Sequence, residues 1–254
     1  MTSRQVSPAS TEGVQAIAVS RRFGAAQALY PTDFSLGAGQ QLAIMGPSGC
    51  GKSTLLNILG GLDRPDEGEV WVNGRPLSYT DRDLTRLHRS VVGFVFQGYG
   101  LIPSLTAIEN VEFTLLVQGV DAATRQRKSL ALLDAVGLGD LAGRYPEELS
   151  GGQRQRVAVA RSVVHTPALV LADEPTGNLD RENGLGVMAV LIAACHAANA
   201  ALVLVTHDVE IAAMMEGTVQ MADGRIVPSV GPHSLAPSPR EPFAPPIPQP
   251  GVSR

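Results

Sequence analysis

Three features of this 254-residue sequence predict an α/β fold with a mostly parallel core sheet, an antiparallel β subdomain beside it and an inserted helical subdomain. The apolar run Leu42-Ala43-Ile44-Met45 passes into a glycine-rich loop and then into Leu55 to Leu59, which is the order strand, tight turn, helix. Three more apolar runs, Val91 to Phe96, Leu169 to Ala172 and Leu202 to Val205, each end in polar residues. That is the pattern of buried strands whose C-terminal edge meets a ligand. Between Gln97 and Pro167 the apolar residues change to helical spacing.

Taken in order, residues 1–12 are small and polar and are expected to form a disordered tail. Val14 to Ser20, Phe34 to Leu36, Leu42 to Met45 and Glu69 to Val72 read as short strands, the last ending at an Asn73-Gly74 turn. Phe23 lies in a turn-like setting, Arg22-Phe23-Gly24, where an aromatic ring can stack on a base or simply pack. The loop Gly46-Pro47-Ser48-Gly49-Cys50-Gly51-Lys52-Ser53-Thr54 fits the phosphate-loop pattern of a P-loop NTPase core. Its glycines let successive N–H groups and the helix start converge on phosphate oxygens, with Lys52 reaching the β- and γ-phosphates and Ser53 ligating Mg²⁺.

Thr106 and Glu109 have capping-box spacing ahead of Ile108, Val111, Leu115 and Leu116, and a second helix is expected from about Asp121 to before Gly137. Arg125, Arg127 and Lys128 fall on it and read as a solvated face. Ser150 and Gln153 repeat the capping-box spacing at another helix start, where free N–H groups and a positive dipole end invite a second anion contact. The helical insertion is expected over about residues 98–166. Adjacent carboxylates at the end of the next strand suit two roles: Asp173 holding Mg²⁺ and Glu174 accepting a proton from an attacking water. His207, at the end of the following strand, can donate to a γ-phosphate oxygen. Asp223-Gly224 marks a closing hairpin, and the proline-dense segment 228–254 is expected to be disordered.

Composition narrows the class further. With 44% apolar residues the chain can bury one sizeable core, and a net charge of -4 offers no general attraction to nucleic acid or anionic lipid. Two cysteines, Cys50 and Cys195, fit reduced thiols in the cytoplasm. Leu185 to Val205 approaches transmembrane length, but His196, Asn199 and the change from alanine-rich to β-branched composition favour a helix followed by a buried strand.

Taken together, GPSGCGKST, Gln97, LSGGQ, LVLADEPTGNLD and His207 resemble the nucleotide-binding subunit of ATP-binding cassette (ABC) transporters over about residues 14–227. The stretches LLNILGGLDRPDEGEV and LIPSLTAIENV resemble the macrolide-exporter, lipoprotein-release and cell-division branch. The resemblance implies a fold, the ABC ATPase, and further roles. Phe23 would stack on adenine, and Gln97 would link Mg²⁺ and water to the membrane partner. Ser150, Gly152 and Gln153 would contact the γ-phosphate of ATP held by a second copy, and Asp180 would cross that interface. The implied protein is an ATPase, with ATP and Mg²⁺, that works as a dimer at the cytoplasmic face of the membrane through a permease subunit on a separate chain.

Two rivals stand beside this reading. A cell-division type ATPase would signal to wall hydrolases through the same cycle, and only its membrane partner distinguishes it. A soluble ATPase of DNA repair or translation would need a long coiled coil or a second cassette, and neither is visible in this sequence.

Overall fold

The computed structural model describes residues 13–227, so the two expected tails, residues 1–12 and 228–254, lie outside the described residues. Two sheets organise the fold. Strands β1 (Gly13–Phe23), β2 (Ala26–Gly37), β4 (Glu67–Val72) and β5 (Arg75–Pro76) form an antiparallel sheet in the order β2-β1-β4-β5. The second sheet runs β10-β9-β3-β8-β7-β6, from β3 (Gln41–Met45), β6 (Val92–Phe96), β7 (Leu169–Asp173), β8 (Ala201–Val205), β9 (Gly217–Ala222) and β10 (Arg225–Val227). It is parallel from β6 to β9, and only β10 turns back, through the Asp223-Gly224 turn.

Alternation along the core strands assigns their side chains to two faces. Leu42, Ile44, Leu169, Leu171, Val203 and Val205 join the cluster around helix α1 (Lys52–Leu59), whose Leu55, Leu56, Ile58 and Leu59 are fully buried against the antiparallel sheet. Ala43, Met45, Val170, Ala172, Leu202 and Leu204 face the other way, towards helices α5 (Gly151–Val163) and α6 (Arg181–Ala197). Each leucine-sized side chain so buried contributes about 2 kcal/mol. The result is a four-layer arrangement, with α1 held between the two sheets and α5 and α6 on the far face of the core sheet.

Between β6 and β7 lie α3 (Ala107–Val117), α4 (Ala122–Ala135) and α5, packed around a separate cluster of Val111, Leu115, Leu133, Val136, Val157 and Ala160. The capping box of Thr106 and Glu109 forms at the start of α3, and Asp121 caps α4. Leu116 differs from expectation: it is half exposed, because the buried face of α3 runs through Ala107, Val111 and Leu115. Helix α6 stops at Ala197 and β8 follows, and no helix among the described residues is long and apolar enough to cross a membrane.

Two elements go beyond the sequence expectations. β1 and β2 are a long hairpin, so Phe23 ends a strand before the turn at Gly24. Helix α2 (Asp81–Ser90), capped by Thr80, is mostly polar, with Leu84 and Leu87 on one side and Leu87 its single buried residue. Helix α7 (Val209–Ala212) is one turn, capped by Asp208.

Candidate functional site

Four strand ends are level at one edge of the core sheet. Ile44 pairs with Val205, and Asp173 pairs with both Val205 and Phe96. The next residues of each strand, the Gly46 loop, Gln97, Glu174 and His207, therefore leave the sheet side by side, where open α/β sheets bind ligands.

The loop from Gly46 to Gly51 is shaped from behind. A Cβ on Gly51, the α1 N-cap at φ 101°, would lie 2.4 Å from the Ala28 carbonyl oxygen of β2, so only glycine fits there. Gly49, also at positive φ, has nothing within 4 Å of such an atom and faces the open side. Cys50 is buried, and its carbonyl accepts from Gly224 N–H at 3.0 Å, which ties the loop to the β9–β10 turn. No side chain caps α1, and Lys52 is buried, its Nζ donating to the Gly46 and Pro47 carbonyls at 2.8 and 2.9 Å. Ser48 is exposed on the loop and Thr54 is half-buried in the first helical turn.

Beside the loop, Ser53 Oγ donates to Asp173 Oδ1 at 3.0 Å. Burial pushes the Asp173 carboxyl above the ordinary Asp range, opposed by the Ser53 hydrogen bond and the Lys52 charge. A hydroxyl and a carboxylate converging in this way fit Mg²⁺, which takes oxygen ligands from one or two protein groups and completes its shell with phosphates and water. Glu174 has φ 46°, a left-handed backbone that a non-glycine side chain rarely adopts. Its N–H donates to the Val205 carbonyl at 3.0 Å, and its Oε1 meets His207 Nδ1 at 2.9 Å. The strained turn aims the carboxylate across to β8.

Gln97 is brought to the same edge, but its side chain lies on Gly177 and Asn178 and makes no hydrogen bond to Ser53 or Asp173. Its carbonyl accepts from Asn178 Nδ2 at 2.9 Å. Asn178 was not among the residues the sequence singled out, since nothing local marks its partner 81 residues away. Phe23 is half exposed at the hairpin tip with the Arg21 guanidinium 4.8 Å from its ring centroid, and β2 continues from there to Ala28 against the loop.

At the start of α5, Ser150 Oγ accepts from Gln153 N–H at 3.3 Å and Gln153 Oε1 accepts from Ser150 N–H at 2.8 Å. The expectation of free N–H groups is thus corrected for Gln153, whose amide is already taken. Gly152 packs on Asn183, where a Cβ would lie 3.0 Å from Oδ1. Asp180 caps α6, accepting from Asn183 N–H and Nδ2, and the Asn183 side chain leads in holding its carboxyl below the ordinary range. In this chain both groups serve α6.

This arrangement has close counterparts among known proteins. The ABC transporter family profile matches residues 29–177, more than half of the chain. The chain belongs to the ABC transporter family. Over 79% of its length this cassette is 47% identical to an uncharacterized ABC transporter ATP-binding protein of Thermotoga maritima, covering 86% of that protein. It is 42% identical over 84% of its length to the macrolide export ATP-binding/permease protein MacB of Marinobacter nauticus, of which it spans only 34%. Among solved structures it matches the ATP-binding cassette MJ0796, a dimer in a post-hydrolysis state bound to ADP and Pi. The TM-score is 0.76 at 38% identity, covering 84% of this chain and 96% of that one. The protein is the ATP-binding subunit of an ABC transporter and an ATPase, related to macrolide and pyoverdine exporters.

Proposed function

We propose that the cassette closes as a dimer around two ATP molecules and drives a membrane permease on another chain, acting in export at the cytoplasmic face. The observation that carries this reading is the pair of contacts at adjacent strand ends, Ser53 to Asp173 and Glu174 to His207. Relatives named as ATP-binding/permease proteins join a cassette to a permease, and a cassette relative is known as a dimer.

Phosphoryl transfer to water depends chiefly on positioning and charge. Lys52, released from its carbonyls by a phosphate, would hold the β- and γ-phosphates with the loop amides, while Phe23 stacks on adenine. When bound, Mg²⁺ supplies charge neutralisation at the β- and γ-oxygens, and Ser53 and Asp173 would hold it. Glu174 would take the proton of the attacking water. His207 keeps Nδ1–H on Glu174, and an imidazolium would leave Nε2–H to donate to the γ-phosphate. Gln97 would relay the state of this edge to the permease.

The Ser150 hydroxyl accepts from Gln153 N–H, so its own hydrogen stays available for the γ-phosphate of ATP held by the second copy. Gly152 and Gln153 would line that contact, and Asp180 the dimer interface. Complementation tests this arrangement. Glu174→Gln and Ser150→Arg should each be nearly inactive as homodimers. Their heterodimer holds one intact site, made by Glu174 of one chain and Ser150 of the other. With equal mixing about half the dimers are heterodimers, so roughly a quarter of wild-type sites should return, by symmetry. No recovery in a mixture with demonstrated heterodimers, where a wild-type and mutant pair does retain activity, would overturn the shared site. Identifying the permease that co-purifies with the cassette from membranes tests the transport role.

A further inference from the structure

The segment after Gln97 is bound to α5 at several points. Tyr99 has φ 61°, and its carbonyl accepts from Arg161 Nη2 at 3.0 Å. The Gly100 carbonyl accepts from Arg161 Nη1. Near the other end of the helix, the Arg154 guanidinium sits 5.0 Å from the Tyr99 ring centroid. The Tyr99 hydroxyl reaches Gly151, where an added Cβ would lie 3.1 Å from it. Gln155 Nε2 donates to the Phe96 carbonyl at 3.2 Å, just before Gln97. Burial holds the Arg161 guanidinium below its ordinary range, so its two carbonyl acceptors satisfy a charge that water reaches poorly.

These contacts span three turns of α5, from the residue after Ser150 to Arg161, and all grip residues 96–100. A left-handed tyrosine persists only where its surroundings over-determine it. Ordinary packing would account for a buried ring. Here the ring is only partly buried, and it bridges two segments that serve different ligands.

We propose that Tyr99 is a positioning residue that straps the Gln97 loop to the start of α5, so that Gln97 and Ser150 move as one body. On the shared-site reading, on which this rests, Gln97 belongs to the chain's own ATP and Ser150 to the partner's. Each strap therefore joins the two sites, and displacement of Gln97 in one repositions the hydroxyl that completes the other.

The complementation mixture isolates this effect. Tyr99→Ala is placed in the chain that already carries Glu174→Gln. That chain's Gln97 then sits in a dead site, while its Ser150 completes the intact one. The recovered ATPase rate should fall about tenfold, the scale of a coupling change near 1.4 kcal/mol. Nucleotide affinity and melting temperature of that chain should stay near those of the Glu174→Gln parent. Tyr99→Phe, which keeps the ring over Arg154, should hold the recovered rate within about threefold. Arg154→Gln in the same chain leaves the loop sequence intact and should also lower the rate, which keeps the test open if Tyr99→Ala does not fold.

An unchanged recovered rate with both Tyr99→Ala and Arg154→Gln would overturn the strap while leaving the shared site standing. Failure of the parent mixture to recover, where a wild-type and mutant pair retains activity, would overturn the shared site and the strap with it. A loss confined to Tyr99→Ala placed in the Ser150→Arg chain would show action through its own Gln97 alone, and would also overturn the strap.

Discussion

Helices α1 and α5 both begin at glycine-rich sequences suited to an anion, yet they solve the problem of unpaired N-terminal amides in opposite ways. α1 starts at a left-handed Gly51 with no side-chain cap, and Lys52 is folded into its own loop. α5 starts with a complete capping box, Ser150 and Gln153 each accepting from the other's backbone. An uncapped start costs about 1 kcal/mol, and α1 can bear this because four of its side chains are buried between two sheets. On the proposed shared site α5 would meet its ligand only when a second copy arrives, and its capping box satisfies two of its amides without one. One start is held open by packing, and the other is partly closed by its own side chains, which take the Ser150 and Gln153 amides and leave those of Gly151 and Gly152 without a side-chain partner.

The comparison breaks most readily at Lys52. Lys52→Ala should weaken ATP binding about a hundredfold, since a charge-assisted contact to phosphate is worth up to ~3 kcal/mol. Titration calorimetry would report it, and affinity within threefold of wild type would show that the open helix start suffices alone. Ser150→Ala and Thr106→Ala sharpen the contrast. Both remove the cap of an otherwise similar box. Each should lower the melting temperature by about 2–4 °C, from a loss near 1 kcal/mol. Only Ser150→Ala should reduce ATP turnover, by about tenfold, with ATP affinity of the monomer within twofold. Equal turnover in the two variants would make Ser150 a cap and nothing more.

The smallest effect on stability is expected at Asp173, beside the open start. Its carboxyl is raised above 3.8 by burial, so the folded chain binds this proton more tightly than the unfolded chain does. Stability therefore falls as pH rises from the unfolded to the folded value, and the deficit persists at neutral pH. Asp173→Asn should raise the melting temperature of the nucleotide-free protein by about 1–2 °C at pH 7, with the gain shrinking as pH falls towards 4. The same variant should lose Mg²⁺-dependent hydrolysis. Calorimetric scans across pH would reveal a gain of the wrong sign.

Much of this was legible because the signals are local. The phosphate loop, both capping boxes, the acidic strand end and the break between α6 and β8 each occupy a few consecutive residues. What escaped was tertiary. β2 contains Pro31, which argues against a strand, but β2 is the edge of its sheet, where a missing N–H does no harm. Helix α2 carries a cap signal in Thr80 and Asp83 and an apolar side in Leu84 and Leu87, but two apolar residues in ten give too short a pattern to stand out from a polar loop. The grips of Asn178 and Arg161 on the Gln97 loop join residues 61 to 81 apart, beyond any spacing rule.

The order of strands also governs how the chain can be made. β3, which carries the phosphate loop, lies between β8 and β9 and pairs with neither β1 nor β2. Its first partner emerges about 160 residues later, which at 5–20 residues per second is a wait of roughly 8 to 30 s on the ribosome. The antiparallel sheet, by contrast, has its strands within the first 76 residues. A nascent chain can therefore assemble that sheet early, with Ala28 of β2 already in place behind Gly51, while β3 gains its own strand partners only once β8 and β9 have emerged. Truncations before β9, which leave one side of β3 unpaired, should therefore give a chain that chaperones hold and that nucleotide does not rescue.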